Sequence, residues 1–230
     1  MKKAEKELYM KKRLEEMKSM ENELRAEGFS FIGGVDEVGR GPLAGPVVAA
    51  CVVLPEDFHV LGVDDSKKLT EKKRDNLYDV ILENALAYGI GERDNHVIDE
   101  INILEATKLA MTDAVRNADA MLREKCGKET DYILFDAMQI DQVEKPQSSI
   151  IKGDSKSVSI AAASIIAKVY RDRMMIDYDK IYPGYGFVSN KGYGTKLHYE
   201  GLDQHGISEI HRRSFLNKYI AMKNEKERNQ

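Results

Sequence analysis

The segment at residues 158–182 constrains the fold of this chain more than any other. It has the composition of a long helix, and its first half is almost wholly apolar. The polar exceptions share one stripe of that helix: Ser164, Lys168, Arg171 and Asp172. Since a helix that is apolar on its remaining faces has to be buried, the sequence predicts a helix enclosed by other elements.

Short β-rich runs predict a sheet against which this helix can pack. Residues 31–35 have the composition of a buried strand, and a glycine-punctuated turn at 39–45 joins them to a continuous apolar run at 46–54, as in a hairpin. Further strands are predicted at 85–91, 132–135 and 149–151, and further helices at 70–84 and 104–125, the latter with Leu104 and Met111 on its apolar face. Strands interleaved with helices indicate an α/β fold with mixed strand directions.

The N-terminal segment differs in character from the rest. Apolar residues recur there at spacings of three and four, in the order Leu14, Met17, Met20 and Leu24. The pattern predicts one charged helix over residues 1–28, ended by Gly28 in a left-handed C-cap. We expect this helix to pack on the body of the protein or on a partner, with its charges forming a solvated face.

The remaining residues, 29–230, are expected to form one principal domain. Its part from about residue 195 is helical, with Thr195 capping one helix and Ser214 opening the last. Cys51 and Cys126 are too few for a disulfide framework and are interpreted as small buried apolar residues. With no membrane-length apolar run and no secretory signal, we expect a cytoplasmic protein.

Net charge limits how such a protein could bind nucleic acid. A formal charge of −4 and a pI near 5.8 exclude binding by bulk positive charge. Any phosphate binding therefore requires a local basic patch. Candidates are Ser66, Lys67, Lys68, Lys152, Lys156, Lys168, Arg171 and Lys191.

Four carboxylates stand where a strand or loop delivers a side chain to an edge. Asp36 and Glu37 close the first strand, Asp136 closes the strand at 132–135, and Asp154 precedes the long helix. Taken singly, each has an ordinary structural interpretation as a turn former or, for Asp154, a helix cap. Together they suggest a divalent-metal site, because Mg²⁺ and Mn²⁺ prefer anionic oxygen ligands and stabilise their ionised form.

A series of motifs then resembles the ribonuclease HII family. The strongest is the run at residues 34–50, GVDEVGRGPLAGPVVAA. Others follow in order: DSKKL at 65–69, NILEAT at 102–107, KGD at 152–154, IAAASIIAK at 160–168, KGYGT at 191–195 and HRRSF at 211–215. In these motifs the resemblance covers all but the N-terminal helix.

The resemblance implies an RNase H-like fold, with a mixed five-stranded sheet flanked by helices and a helical C-terminal part. It implies that Asp36, Glu37, Asp136 and Asp154 are the catalytic residues and ligands of two divalent ions, Mg²⁺ or Mn²⁺. The motif around Asp136 is looser than the others, and Asp131 and Asp141 are the alternatives there.

Substrate contacts are implied as well. The loop Gly39-Arg40-Gly41 resembles the family's loop that places backbone amides against a ribonucleotide 2′-hydroxyl, for which glycine is suited because it lets the main chain approach closely. Tyr193 matches a tyrosine that stacks at the RNA–DNA junction. Ser66, Lys67, Lys68 and Lys152 would contact phosphates. The histidines at 198, 205 and 211 are interpreted as structural or surface residues.

The implied activity is endonucleolytic cleavage of RNA paired with DNA. It includes cuts on the 5′ side of single ribonucleotides in duplex DNA, leaving 3′-hydroxyl and 5′-phosphate ends, and it serves ribonucleotide removal. We expect a monomer. The alternatives are a ribonuclease HIII-like hybrid nuclease, disfavoured because residues 1–30 are too few for that enzyme's extra domain, a non-catalytic nucleic-acid-binding module, and an unrelated Mg²⁺-dependent phosphatase.

Overall fold

A five-stranded mixed sheet forms the centre of the molecule. The computed structural model describes residues 3–228. The strands are β1 (Ile32–Val38), β2 (Val47–Val53), β3 (Ala87–Arg93), β4 (Tyr132–Asp136) and β5 (Gln147–Ile150), in the spatial order β3-β2-β1-β4-β5. β1, β2 and β3 are antiparallel neighbours, whereas β4 and β5 run parallel to β1. The predicted mixed sheet is confirmed, with shifts of a few residues at its outer strands.

Long helices cover the two faces of the sheet. On one face lies α5 (Val158–Ile181), with α3 (Glu71–Asn84) beside it, and on the other lies α4 (Asn95–Cys126). The prediction that α5 is enclosed is confirmed. Its polar stripe is buried too, since Arg171 is 0% and Asp172 is 7% exposed, so this stripe is not a solvent-facing edge.

The helix α4 begins earlier than predicted and bends at Asn102. This residue has a left-handed φ of 69°, and its side-chain oxygen accepts hydrogen bonds from the amides of Leu104 and Glu105. The bend turns Leu104 outward, so that it is 42% exposed, and its assignment to the buried face was wrong. Met111 is fully buried, as predicted.

The N-terminal segment forms two helices, α1 (Lys3–Met17) and α2 (Ser19–Ala26), rather than one. Leu14 and Met17 enter the core around α5, so the segment packs on the body of the protein. Gly28 has the predicted positive φ, 105°.

The C-terminal part contains α6 (Phe187–Asn190), α7 (Lys196–His205) and α8 (Asn217–Arg228). The short α6 lies in a stretch that we expected to be irregular. Thr195 caps α7 as predicted, accepting a hydrogen bond from the amide of His198. Ser214 does not open α8; it lies in a 3₁₀ turn and donates to the carboxylate of Asp99.

The two cysteines differ in exposure. Cys51 is buried, as predicted, but Cys126 is exposed at the end of α4, where its neighbours face solvent.

Among the described residues, no helix is long and apolar enough to cross a membrane.

Candidate active site

Three of the four predicted carboxylates converge at one edge of the sheet. Asp36 and Asp136 lie near the ends of β1 and β4, which run parallel with Val35 opposite Phe135. Asp154 comes from the 3₁₀ turn Gly153–Ser155, just before α5. Each of these three residues offers an oxygen that lies within 4.8 Å of the other two.

Gly34 explains how the third carboxylate reaches the other two. A Cβ added at Gly34 would lie 2.2 Å from the carbonyl carbon of Ser159, so only glycine lets the first turn of α5 pack directly on β1. This close approach brings the turn that precedes α5, and with it Asp154, to the end of β1. The amide of Gly153 then donates to Asp136 Oδ1 at 2.7 Å, which ties this turn to β4.

Glu37 lies next to this group but not in it. Successive side chains of a strand point to opposite faces, so Glu37 is on the α4 face with Val35, and Asp36 is on the α5 face with Val38. The Glu37 carboxylate lies 3.5 Å from the guanidinium of Arg40.

The electrostatics of the cluster favour a bound cation. Burial raises the pKa of Asp36 well above its usual value, and repulsion from Glu37, Asp136 and Asp154 raises it further. Burial also raises the pKa of Asp154, with repulsion from Asp65 and Asp136 adding to it and Lys67 opposing it. Burial is likewise the main cause of the raised pKa of Glu37, against the opposing charge of Arg40. Ionising such a group is costly unless positive charge enters it.

The residues present fit a hard divalent cation. All three converging groups are carboxylates, the ligand type that Mg²⁺ and Mn²⁺ prefer. The protein supplies little compensation of its own. Lys67 Nζ lies 3.6 Å from Asp154 Oδ2, but the lysine side chain is 82% exposed, and it can swing away when another cation binds.

The alternative interpretations of these acids can now be separated. Asp131 accepts hydrogen bonds from the amides of Ser30 and Phe31, so it fixes the entry to β1. Asp141 is exposed and stands outside the cluster. Asp154 is not the cap of α5, because the side chain of Ser157 fills that position.

The predicted glycine-flanked loop lies directly after β1. Gly39 has a φ of +92° and is buried, whereas Arg40 and Gly41 are exposed. A Cβ added at Gly41 would lie 3.5 Å from the Cε1 atom of Tyr193, so the tyrosine ring adjoins the loop. Tyr193 is 45% exposed.

Two buried arginines hold the segment of residues 39–46 that contains this loop, and neither role was visible in the sequence. Arg212 donates to the carbonyl oxygens of Gly39 at 2.6 Å, Arg40 at 3.0 Å and Gly45 at 2.9 Å. Arg171 donates to the carbonyls of Pro46, Ala44 and Lys191. Both are 0% exposed, so the placement of Arg171 in a basic surface patch was wrong.

Arg212 leaves the amides of the loop available. Its bonds turn the carbonyl oxygens of Gly39 and Arg40 inward, toward the guanidinium. Within the described chain, the N–H groups of Arg40 and Gly41 have no hydrogen-bond partner. Exposed donors of this kind are suited to a polar ligand. The signal in the sequence was the HRRSF motif, to which no role could be attached.

The histidines are structural, as predicted for His198 and His211. Both are buried, and His198 Nδ1 donates to the carbonyl of Tyr193 at 3.0 Å. His198 Nε2 lies 2.9 Å from His211 Nε2, and His211 Nδ1 accepts from the amide of Ser208. This order of donors requires both rings to be neutral. Burial lowers the pKa of His211 to about 4. His205 is exposed on α7.

The predicted phosphate contacts are divided between surface and interior. Lys67, Lys68 and Lys152 are exposed, and so is Lys156. Ser66 is buried, and its backbone amide donates to Ser164 Oγ, so this residue fixes the turn to α5 rather than facing solvent. Two other members of the suggested patch are occupied: Lys168 pairs with Asp172 at 2.6 Å, and the ammonium of Lys191 bonds to the carbonyl of Val188.

The order of the strands and the helices on both faces are those of the RNase H-like fold. The ribonuclease H2 of Pyrococcus horikoshii superimposes with a TM-score of 0.63 at 28% identity, covering 80% of this chain and 92% of the other. Bst-RNase HIII, solved in complex with Mn²⁺, shares the fold with a TM-score of 0.62 at 22% identity, over 84% of this chain and 67% of the other.

The sequence comparisons are more specific. The family model for ribonuclease HII matches residues 33–218. The ribonuclease HII of Listeria innocua is 57% identical over 214 residues, which are 93% of this chain and 78% of that protein. The chain therefore belongs to the ribonuclease HII family and is a ribonuclease H. Because the Listeria match covers 93% of the chain, it extends into the N-terminal segment, which the motifs had left outside.

Proposed function

We propose that this protein is an endonuclease that hydrolyses the RNA strand of RNA/DNA hybrids. It also cuts on the 5′ side of single ribonucleotides in duplex DNA, leaving 3′-hydroxyl and 5′-phosphate ends. The observation that carries the proposal is the convergence of Asp36, Asp136 and Asp154 at the sheet edge, beside a loop with two exposed amide donors. Such an enzyme removes misincorporated ribonucleotides, acting as a cytoplasmic monomer.

The carboxylates would hold two divalent ions, Mg²⁺ or Mn²⁺. Asp36, Asp136 and Asp154 form the shared group, and Glu37 adds a carboxylate from the other face of β1. A structural relative, Bst-RNase HIII, has been solved with Mn²⁺. Two such ions, when bound, lower the pKa of a water molecule and stabilise the leaving oxygen of a phosphodiester.

The Gly39-Arg40-Gly41 loop supplies the discrimination between RNA and DNA. Its exposed amides can donate to a 2′-hydroxyl, the group that deoxyribonucleotides lack. Arg212 binds the carbonyls of Gly39 and Arg40, so these two oxygens are occupied while the amides of Arg40 and Gly41 remain as donors. The ring of Tyr193 beside Gly41 offers a stacking surface for the nucleotide held there.

The duplex is positioned by a small set of lysines rather than by overall charge. Lys67 and Lys68 lie on the turn facing Asp154, and Lys152 lies two residues before it. Contacts of this kind to phosphates orient a duplex without reading its bases and weaken as salt rises.

The test is cleavage of a labelled DNA duplex that contains one ribonucleotide, with and without Mg²⁺ or Mn²⁺. We expect a single metal-dependent cut on the 5′ side of the ribonucleotide by the unaltered protein, and none by Asp36→Asn. Asp141→Asn is the matched control, because Asp141 is an exposed carboxylate outside the cluster, and it should cut normally.

Other outcomes would redirect the assignment. Cleavage confined to long RNA/DNA hybrids would indicate ribonuclease HIII-like specificity. Binding of the duplex without any cut would indicate a non-catalytic module and would contradict the proposal.

A further inference from the structure

The three converging carboxylates are not held equally well by the sheet. Asp36 and Asp136 belong to β1 and β4, whose backbone ladder fixes them. Asp154 lies on a three-residue 3₁₀ turn, and such a turn has less backbone support than a strand paired on both sides. One bond, from the amide of Gly153 to Asp136, ties the turn to the sheet, and the remaining restraint on Asp154 comes from contacts outside the sheet.

A second turn faces the turn of Asp154. It comprises residues 64–68 and carries Lys67, whose ammonium lies 3.6 Å from Asp154 Oδ2. Lys68 Nζ donates to Ser155 Oγ at 3.2 Å and to Asp64 Oδ1 at 3.1 Å. These contacts come from lysine side chains that are more than half exposed, which makes them weak restraints taken alone.

Arg13 of α1 bridges the two turns. Its Nε and NH2 groups donate to the Asp64 carboxylate, each at 3.3 Å, and NH2 also donates to the carbonyl of Ser155 at 2.7 Å. The bond to Asp64 is the main cause of the raised pKa of Arg13. Because a guanidinium presents several donors in a rigid plane, one side chain joins the residue after Asp154 to the start of the lysine turn.

Glu21 of α2 secures the same region from beneath. It is 1% exposed, and its Oε1 atom accepts from Ser157 Oγ at 2.6 Å and from the amide of Ser159 at 3.0 Å. A carboxylate at a helix N-terminus is stabilised by the helix dipole, here that of α5. Ser157 caps α5 and lies three residues after Asp154, so Glu21 anchors the exit from the turn.

We propose that Arg13 and Glu21 are positioning residues for the nuclease site. Through them the N-terminal helices, which precede the family-model match at 33–218, hold the turn of Asp154 against the turn of Lys67. We call these contacts of Arg13 and Glu21 the clasp. The clasp holds Asp154 where a divalent cation requires it and holds Lys67 beside the site. This inference rests on the proposed function for its catalytic consequence, but the clasp itself is a property of the two turns.

The test compares Arg13→Met with Lys11→Met in the full chain. Lys11 lies on the same helix, is exposed and, within the described residues, forms its ion pair with Glu7, so it controls for loss of a positive charge. Three quantities are measured: amide hydrogen exchange in residues 152–157, Mn²⁺ binding by electron paramagnetic resonance without substrate, and kcat and KM for the single-ribonucleotide duplex.

We expect Arg13→Met to speed exchange in residues 152–157 and to weaken Mn²⁺ binding about 10-fold, the lower end for residues that orient metal ligands. The value of kcat should fall about as much, with KM changed less than about twofold. Lys11→Met should match the unaltered protein. Asp64→Asn should reproduce part of the loss, and the double variant should lose less than the sum of the two single effects, because both changes break one contact.

Glu21→Gln, which keeps the shape of the side chain but not its charge, should change exchange and Mn²⁺ binding in the same direction as Arg13→Met. Arg13→Lys guards against a trivial loss of folding. Arg13→Lys keeps the charge, but one ammonium cannot span both turns, so this variant should fold and still bind Mn²⁺ more weakly. If Arg13→Met and Arg13→Lys lowered only the melting temperature, with exchange and Mn²⁺ binding as in Lys11→Met, the helices would be mere packing and the inference would be wrong.

The same data separate this inference from the proposed function. If the unaltered protein bound Mn²⁺ but cut no duplex, the proposed function would fail, while a difference in exchange and Mn²⁺ binding would still support the clasp. If the unaltered protein cut normally and Arg13→Met were indistinguishable from it, only the clasp would fail.

Discussion

Two elements next to the carboxylate group, the loop after β1 and the turn of Asp154, are held by different kinds of contact. We call them the C-terminal and the N-terminal side, after the segments that supply their supporting residues. On the C-terminal side, Arg171 and Arg212 are fully buried and bind backbone carbonyls. On the N-terminal side, Arg13 is a quarter exposed and forms an ion pair with Asp64. The loop after β1 is therefore fixed by buried hydrogen bonds. The turn of Asp154 is held partly by the buried Glu21 and partly, through Arg13, by a partly solvated ion pair.

The difference has a physical consequence for each side. Burial lowers the pKa of Arg212 to about 9, which reflects the cost of a charge taken out of water. Removing that side chain would leave buried carbonyls without donors, the more expensive defect. An ion pair near the surface contributes less and is screened by salt. The loop to which we assign recognition of the ribonucleotide should thus be the more rigid of the two, and the turn of Asp154 the more adjustable.

The largest expected effect is that of Arg212→Met. It orphans the carbonyls of Gly39, Arg40 and Gly45, so we expect the free energy of unfolding in urea to fall by about 3–5 kcal/mol. Arg213→Met, at the exposed neighbouring position, should change it by less than about 0.5 kcal/mol. Equal effects of the two variants would mean that the buried bonds of Arg212 to backbone carbonyls stabilise the protein no more than a surface side chain does.

A second effect concerns pH on the C-terminal side. The pKa of His211 is about 4 in the folded protein and returns to about 6.5 on unfolding. Between these values the unfolded chain binds the extra proton, so stability falls as the pH drops from 6.5 to 4, by on the order of 3 kcal/mol. In urea titrations His211→Gln should flatten this dependence, whereas exposed His205→Gln should not. A steep dependence retained in His211→Gln would show that another group is responsible.

A third effect concerns the carboxylate cluster itself, which lies between the two sides. Asp36→Asn removes a buried charge that three neighbouring carboxylates repel, so it should raise the free energy of unfolding by on the order of 1–2 kcal/mol without divalent ions. Added Mn²⁺ should then stabilise the unaltered protein and have little effect on the variant, as measured by thermal melting. A destabilised Asp36→Asn protein would mean that the cluster is not strained by its own charge.

The smallest effect is that of salt on the N-terminal side. Arg13→Met should lower the free energy of unfolding by about 1 kcal/mol at low ionic strength, and the loss should shrink in about 0.5 M NaCl because surface charges are screened. The loss caused by Arg212→Met should persist in the same buffer. If the loss caused by Arg13→Met did not change with salt, the contacts of Arg13 would be of the same kind as the buried hydrogen bonds of Arg212.

The sequence indicated the carboxylate group through local patterns. Asp36 and Asp136 follow apolar strands directly, and Asp154 precedes a helix that has to be buried. Such positions are visible because strand and helix periodicities are short-range. The separation of Glu37 from the other three also follows from strand alternation, although the motif alone treated the four acids alike.

The arginines that support the site could not be identified from local patterns, because they contact residues far away in the sequence. Arg212 binds the carbonyl of Gly39 across 173 positions of the chain, and Arg13 binds that of Ser155 across 142. In the sequence Arg171 was indistinguishable from a surface cation, because its neighbouring residues do not show whether its guanidinium will donate to backbone carbonyls or to water.

By itself, then, the sequence determined the α/β sheet, the enclosed helix, the family and the residues that bring negative charge to one edge. Each follows from periodicity or from a contiguous motif. Only the tertiary structure decided that Arg171 and Arg212 hold the segment after β1 from within, and that the N-terminal helices support the turn of Asp154. These contacts join distant segments, and a donor finds its acceptor only once packing has placed both and excluded water from between them.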